Sequence, residues 1–127
     1  MIVEQRQILL VSPDLMSTSR IAGLARAANA RVETLRSLDD APKNGPFAIV
    51  LIDLQALSGD AAVIVSRVRA ILETLPAQAD TPFRLVAFGP HVHKQRLEDA
   101  TAAGADAAVS RGELLGGFAG LVNRWAG

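Results

Sequence analysis

Apolar residues fall into short unbroken runs separated by stretches with helical spacing, and the clearest run, Phe47-Ala-Ile-Val-Leu-Ile-Asp53, stops on a single carboxylate. A strand buried on both faces reads as a continuous run, whereas a half-exposed strand alternates, so this segment predicts a central strand of a parallel sheet covered by helices on both sides. Asp53 then sits at the carboxyl end of that strand, where open α/β sheets gather their ligand sites. Residues 7–12, Gln-Ile-Leu-Leu-Val-Ser, predict a short first strand. Ser12-Pro13-Asp14 supplies helix-start chemistry: a capping hydroxyl, a proline suited to the first turn and an acid near the positive helix end. The helix expected over 14–29 carries Ile21, Leu24, Ala25 and Ala28 at helical spacing, with Asn29 as its stop.

Arg31-Val-Glu-Thr-Leu-Arg36 alternates and suits an edge strand, and the breaker-rich stretch 37–46 leaves room for a short helix only. Beyond the loop 55–60, a broadly apolar helix is expected to about Leu75, with Ile64, Val68, Ile71 and Leu75 in one stripe and Val65 and Leu72 beside it. That breadth fits deep burial or a partner-binding face. A surface loop over 76–82 leads to a fourth strand, Phe83-Arg-Leu-Val-Ala-Phe88, broken by Gly89-Pro90. A charged helix follows from His91 to Ala103 and ends at Gly104. Asp106–Val109 is a short fifth strand, and a last helix over 112–125 presents Leu115, Phe118, Val122 and Trp125. Five strands alternating with helices indicate a doubly wound α/β fold.

Composition narrows the chemistry. Thirteen basic and thirteen acidic residues cancel, so no net field draws nucleic acid or an anionic membrane, and the absence of cysteine removes disulfides, thiolate metal sites and thiol nucleophiles. The run Ile8–Val11 is too short for a signal peptide or a membrane span, and the expected compartment is the cytoplasm. His91 and His93 flank Val92, but two solvated histidines opening a helix account for them more simply than a metal site. Ser12, Ser58 and Ser110 lie in no Gly-x-Ser-x-Gly elbow, and no dinucleotide or Walker loop is present.

With its elements in order, the chain resembles a response-regulator receiver domain, the phosphoacceptor module of two-component signalling, from about Gln7 to Trp125. The resemblance rests on Ile8-Leu-Leu-Val11 leading into a helix, on Ile49-Val-Leu-Ile-Asp53-Leu54, and on Ala102-Ala-Gly-Ala-Asp106. It implies a flavodoxin-like, CheY-like three-layer sandwich with a five-stranded parallel sheet of order 2-1-3-4-5 and about five helices. One domain is expected over 1–127, with its core at about 7–125.

Five site features are implied, and one matches. Asp53 falls on the phosphoacceptor. The acidic pair that holds magnesium falls on Ser12 and Pro13, with Asp14 one residue beyond; a hydroxyl and a side chain without a donor are poor ligands for Mg²⁺. The hydroxyl that ends the fourth strand falls on Gly89, the rotating aromatic on Ala108, and the lysine on Arg111, whose planar fork is no equivalent of a compact ammonium. Arg111 could pair with Asp53 or Asp14. The loop from Asp53 to Gly59 is also shorter than the family's usual one.

The expectation is therefore a degenerate pseudo-receiver, not an enzyme, with no cofactor and no resident metal. It would act on a protein partner, a kinase or an output protein, or by self-association as a homodimer, because the sequence ends just after its last helix without an output domain. The expected contact surface is 91–125, with Lys94, Arg96, Glu98 and Asp99 exposed, in competition with the helix at 60–75. Two other readings remain open: a working phosphoacceptor in which Asp14 and Asp53 share Mg²⁺, and a small-molecule binder with Arg111 as anion anchor.

Overall fold

The computed structural model describes residues 5–126; the outer ends of the expected domain, residues 1–4 and 127, lie outside them. The strands are β1 (Arg6–Val11), β2 (Ala30–Leu35), β3 (Ile49–Asp53), β4 (Arg84–Gly89) and β5 (Ala107–Ser110). The helices are α1 (Leu15–Ala27), α2 (Ala61–Glu73), α3 (Lys94–Ala102), α4 (Arg111–Gly116) and α5 (Phe118–Ala126). All strand pairings are parallel and the order is β2-β1-β3-β4-β5, the flavodoxin-like sheet that the sequence implied.

The period of two along each central strand divides the core. Leu9, Val11, Val50, Ile52, Leu85 and Ala87 face Ile64, Val65, Val68 and Leu72 of α2 and Ala100 of α3. Ile8, Leu10, Ile49, Leu51, Val86 and Phe88 face Ile21 and Ala25 of α1, Leu114 of α4, and Phe118 and Val122 of α5. Both faces of β3 are therefore buried, which is why its sequence does not alternate. On α2, Val65 and Leu72 belong to the core while Ile71, and Leu75 just beyond the helix, are only partly buried, so deep packing accounts for most of the breadth of its apolar face.

Two expected helices differ. No helix forms over 37–46. There Glu33 of β2 accepts hydrogen bonds from Lys43 N at 2.6 Å, Asn44 N at 2.9 Å and Asn44 Nδ2 at 2.8 Å, so one carboxylate organises an irregular strap that ends in a cis Gly45-Pro46 bond. The alternation of β2 follows from its two sides: Ala30 and Val32 pack with the α1–α5 side, while Arg31 is exposed and Glu33 turns to the strap. The expected helix over 112–125 is two helices. Ser110 caps α4 in a reciprocal box with Glu113, and the chain breaks at Gly117 before α5. By contrast, Asn29 (φ 55°) and Gly104 (φ 115°) end α1 and α3 in left-handed backbone, as their residue types predict.

The loop over 76–82 is less superficial than expected. It contains a 3₁₀ turn, Pro76–Gln78, whose buried Gln78 accepts from Phe47 N at 2.7 Å and donates to Phe47 O at 2.9 Å and Thr81 O at 3.0 Å. Gln78→Leu removes both backbone partners of Phe47 at the entrance to β3. It should lower unfolding free energy by about 2–4 kcal/mol, measured by urea denaturation.

Candidate functional site

Parallel strands bring their carboxyl ends to one edge. Val11 is in register with Ile52, Asp53 with Phe88, and Gly89 with Ser110. Ser12, Asp53, Gly89 and Arg111 therefore line up along that edge. Asp53 is 1% exposed. Its Oδ2 accepts the Ser12 hydroxyl at 2.8 Å, and its Oδ1 accepts Gln55 N and Ala56 N, both at 3.1 Å. Its own carbonyl accepts Leu57 N at 3.1 Å. A buried carboxylate requires such donors, and they come from the turn that follows it and from the neighbouring strand.

Ser12 is thus not the helix cap. Asp14 takes that role: its Oδ2 accepts Ser17 N at 3.1 Å and Ser17 Oγ at 2.6 Å, while Asp14 N donates back to Ser12 Oγ at 3.2 Å. The Ser17 hydroxyl and amide hold the Asp14 carboxyl below the ordinary aspartate range, with smaller contributions from Met16 N and the nearby Arg111 charge and a partial offset from desolvation. Pro13, exposed, offers only its carbonyl, which accepts Arg36 Nη2 at 3.3 Å.

Pro13, Asp14, Met16, Gln55, Ala56 and Arg111 line a shallow cleft of about 510 Å³ above this edge. Asp53 is not among its lining residues; Ser12 and the turn at 55–56 cover it. Arg111 is the first residue of α4 and partly buried. The expected pairing with Asp53 or Asp14 is not made: the ion pairs among the described residues are Arg67–Asp39 at 2.9 Å and Lys94–Glu98 at 4.0 Å. Arg111 acts on Asp14 through its charge alone, as the least of the effects that lower the Asp14 pKa, without a direct ion pair.

Gly89 is buried at the end of β4, where a Cβ would meet Leu54 Cβ at 3.7 Å and Leu97 Cδ2 at 3.9 Å, ordinary contacts. Ala108 is partly buried on β5, the edge strand, and packs against the α2–α3 side of the core. Lys94, Glu98 and Asp99 are exposed as expected, but Arg96 is not on that outer face. Its guanidinium turns inward and donates to Gly59 O at 2.6 Å, Leu54 O at 2.8 Å and Leu57 O at 3.2 Å. The sequence offers no sign of this contact, since an arginine in a first helical turn looks the same whether it faces water or a loop.

The residues present do not fit the magnesium ion that the receiver resemblance implies for an active site. Asp14 and Asp53 are its only carboxylates, each is engaged by hydroxyl and amide donors, and no group of three or more His, Asp or Glu side chains able to hold a metal occurs among the described residues. His91 and His93 are both exposed, and α3 starts after them at Lys94. No helix among the described residues is long and apolar enough to cross a membrane.

No protein-family model and no curated protein matches the chain. Solved structures do. A response regulator from Thermotoga maritima aligns at TM-score 0.70 and 12% identity, over 97% of this chain and 98% of that one. The chemotaxis response regulator CheY4 of Vibrio cholerae aligns at 0.71 and 14%, over 95% and 98%. The receiver domain of a sensor histidine kinase from Pseudomonas aeruginosa, which holds a magnesium ion in its active-site cleft, aligns at 0.68 and 17%, over 97% and 98%. At these identities the likeness establishes a receiver-type fold.

The lowered pKa of Asp14 sets a pH dependence. A carboxyl whose folded pKa lies below its unfolded value adds stability above the unfolded value and loses it as pH falls through the folded one. The gap in Tm between the protein and Asp14→Asn should therefore be full near neutral pH and close below about pH 4 in thermal melts.

Proposed function

We propose that this chain is a receiver-like signalling module of two-component type that acts by contact with another protein, a kinase or an output protein, without efficient phosphorylation of Asp53. The supporting observation is the state of Asp53. It is 1% exposed, and both carboxylate oxygens are occupied by donors from within the chain. Phosphoryl transfer to a carboxylate needs an oxygen free to attack in line and cations to neutralise the transferred group. Here Ser12 and Pro13 stand where an acidic pair would hold a metal, Arg111 stands in place of lysine, and Gly89 has no hydroxyl to follow a phosphoryl oxygen. Asp53 instead organises the turn at its own strand end. In this reading the chain is not an enzyme.

Incubation with acetyl phosphate and Mg²⁺ should leave the intact mass unchanged. A single added phosphate, absent from Asp53→Asn, would overturn the reading. Asp53→Ala strands the Ser12 hydroxyl and two amides and should lose about 2–4 kcal/mol in urea denaturation. Asp53→Asn keeps an acceptor for both amides and should cost less than half as much.

A further inference from the structure

The segment Leu54–Asp60 leaves β3 and is gripped from two sides. Its amides are held from beneath, Gln55 N and Ala56 N by the Asp53 carboxylate and Leu57 N by the Asp53 carbonyl. Its carbonyls are held from the flank, Leu54 O, Leu57 O and Gly59 O by the one guanidinium of Arg96. One glycine admits this arrangement. Gly59 adopts φ 108°, a left-handed conformation that an L side chain rarely takes. Gly89, at the end of β4, neighbours Leu54 and Gln55 of the segment and Leu97 of α3. Arg96 is the third residue of α3, between exposed Lys94 and exposed Glu98 and Asp99.

We propose that Arg96 is a latch: it holds the 54–60 segment shut over Asp53 and joins the cleft wall formed by Gln55 and Ala56 to the outer face of α3. This rests on the reading of Asp53 as the organiser of that segment. A charged planar donor shared among three carbonyls fixes the loop more firmly than three separate neutral contacts, and it leaves the carbonyls without those bonds when it withdraws. A partner that binds the α3 face and draws Arg96 outward therefore opens access to Asp53. By linkage, whatever stabilises the closed 54–60 segment also stabilises the inward position of Arg96, and the coupling is equal in both directions. The two states differ in one named set of hydrogen bonds, which makes the latch a specific element and not a general softness of the loop.

The test compares the full chain with Arg96→Ala and Arg96→Lys by residue-resolved amide hydrogen exchange, and by carbodiimide-driven tagging of carboxyls located by mass spectrometry. In Arg96→Ala, exchange at Gln55, Ala56 and Leu57 should rise by roughly tenfold or more, and Asp53 should become taggable, while Ile52 and Val86 in the core strands keep their protection. Arg96→Lys, with a point charge that cannot span three carbonyls, should fall between the two. It also carries the test if the alanine variant does not fold. Unchanged exchange at 55–57 with untagged Asp53 in a folded variant would overturn the latch. The two readings separate in the unsubstituted chain. Phosphate uptake on Asp53 with a protected segment would overturn the proposed function and leave the latch. An unprotected segment without phosphate uptake would overturn the latch alone.

Discussion

A carboxylate withdrawn from water at the end of a central strand must find hydrogen-bond donors around it, and the arrangement of the carboxyl edge follows from how Asp53 meets that requirement. Ser12 supplies one donor because β1 lies beside β3 in register, and the turn after β3 supplies two because it folds back over its own strand end. The turn is thereby fixed, its carbonyls face α3, and Arg96 collects them. Ser12 donates to Asp53 and accepts Asp14 N, and Asp14, the residue directly before α1, is the one that caps the helix.

The same edge in an active receiver is an open acidic site, according to the family resemblance. Here three acids lie at or near it, Asp14, Asp53 and Asp60, and each accepts amides of the element it introduces: α1, the turn at 55–56 and α2. What remains uncommitted is Arg111 at the cleft wall. The negative charge at this edge is turned toward local backbone donors at turn and helix starts.

Much of the fold was legible because its determinants are local or periodic. Apolar runs and the alternation of Arg31–Arg36 pointed to five strands whose ends lie within about two residues of the observed ones, and Asn29 and Gly104 declared their helix ends through the left-handed backbone that their residue types accept. The errors arose where a pattern carried two meanings. Leu115, Phe118, Val122 and Trp125 keep one stripe across a break, so periodicity alone could not reveal that Gly116-Gly117 splits the helix. The stretch 37–46 needs a partner distant in sequence, the Glu33 carboxylate, to explain why it stays irregular. Of the site, the identity and placement of Asp53 were readable. The inward turn of Arg96 and the reassignment of Ser12 were not, because each depends on tertiary neighbours forty or so positions away.

The strap that runs from β2 to β3 has a consequence for how the molecule comes apart. A helix in that place would close its own backbone hydrogen bonds; most of the strap does not, and it is tied by the Glu33 carboxylate, the Arg67–Asp39 pair, Leu38 on the core and the burial of Phe47. Hydrogen bonds that are few and near solvent open first when a protein fluctuates. By that principle the β2 margin is expected to open more readily than the carboxyl edge at Asp53, from which β1 separates it.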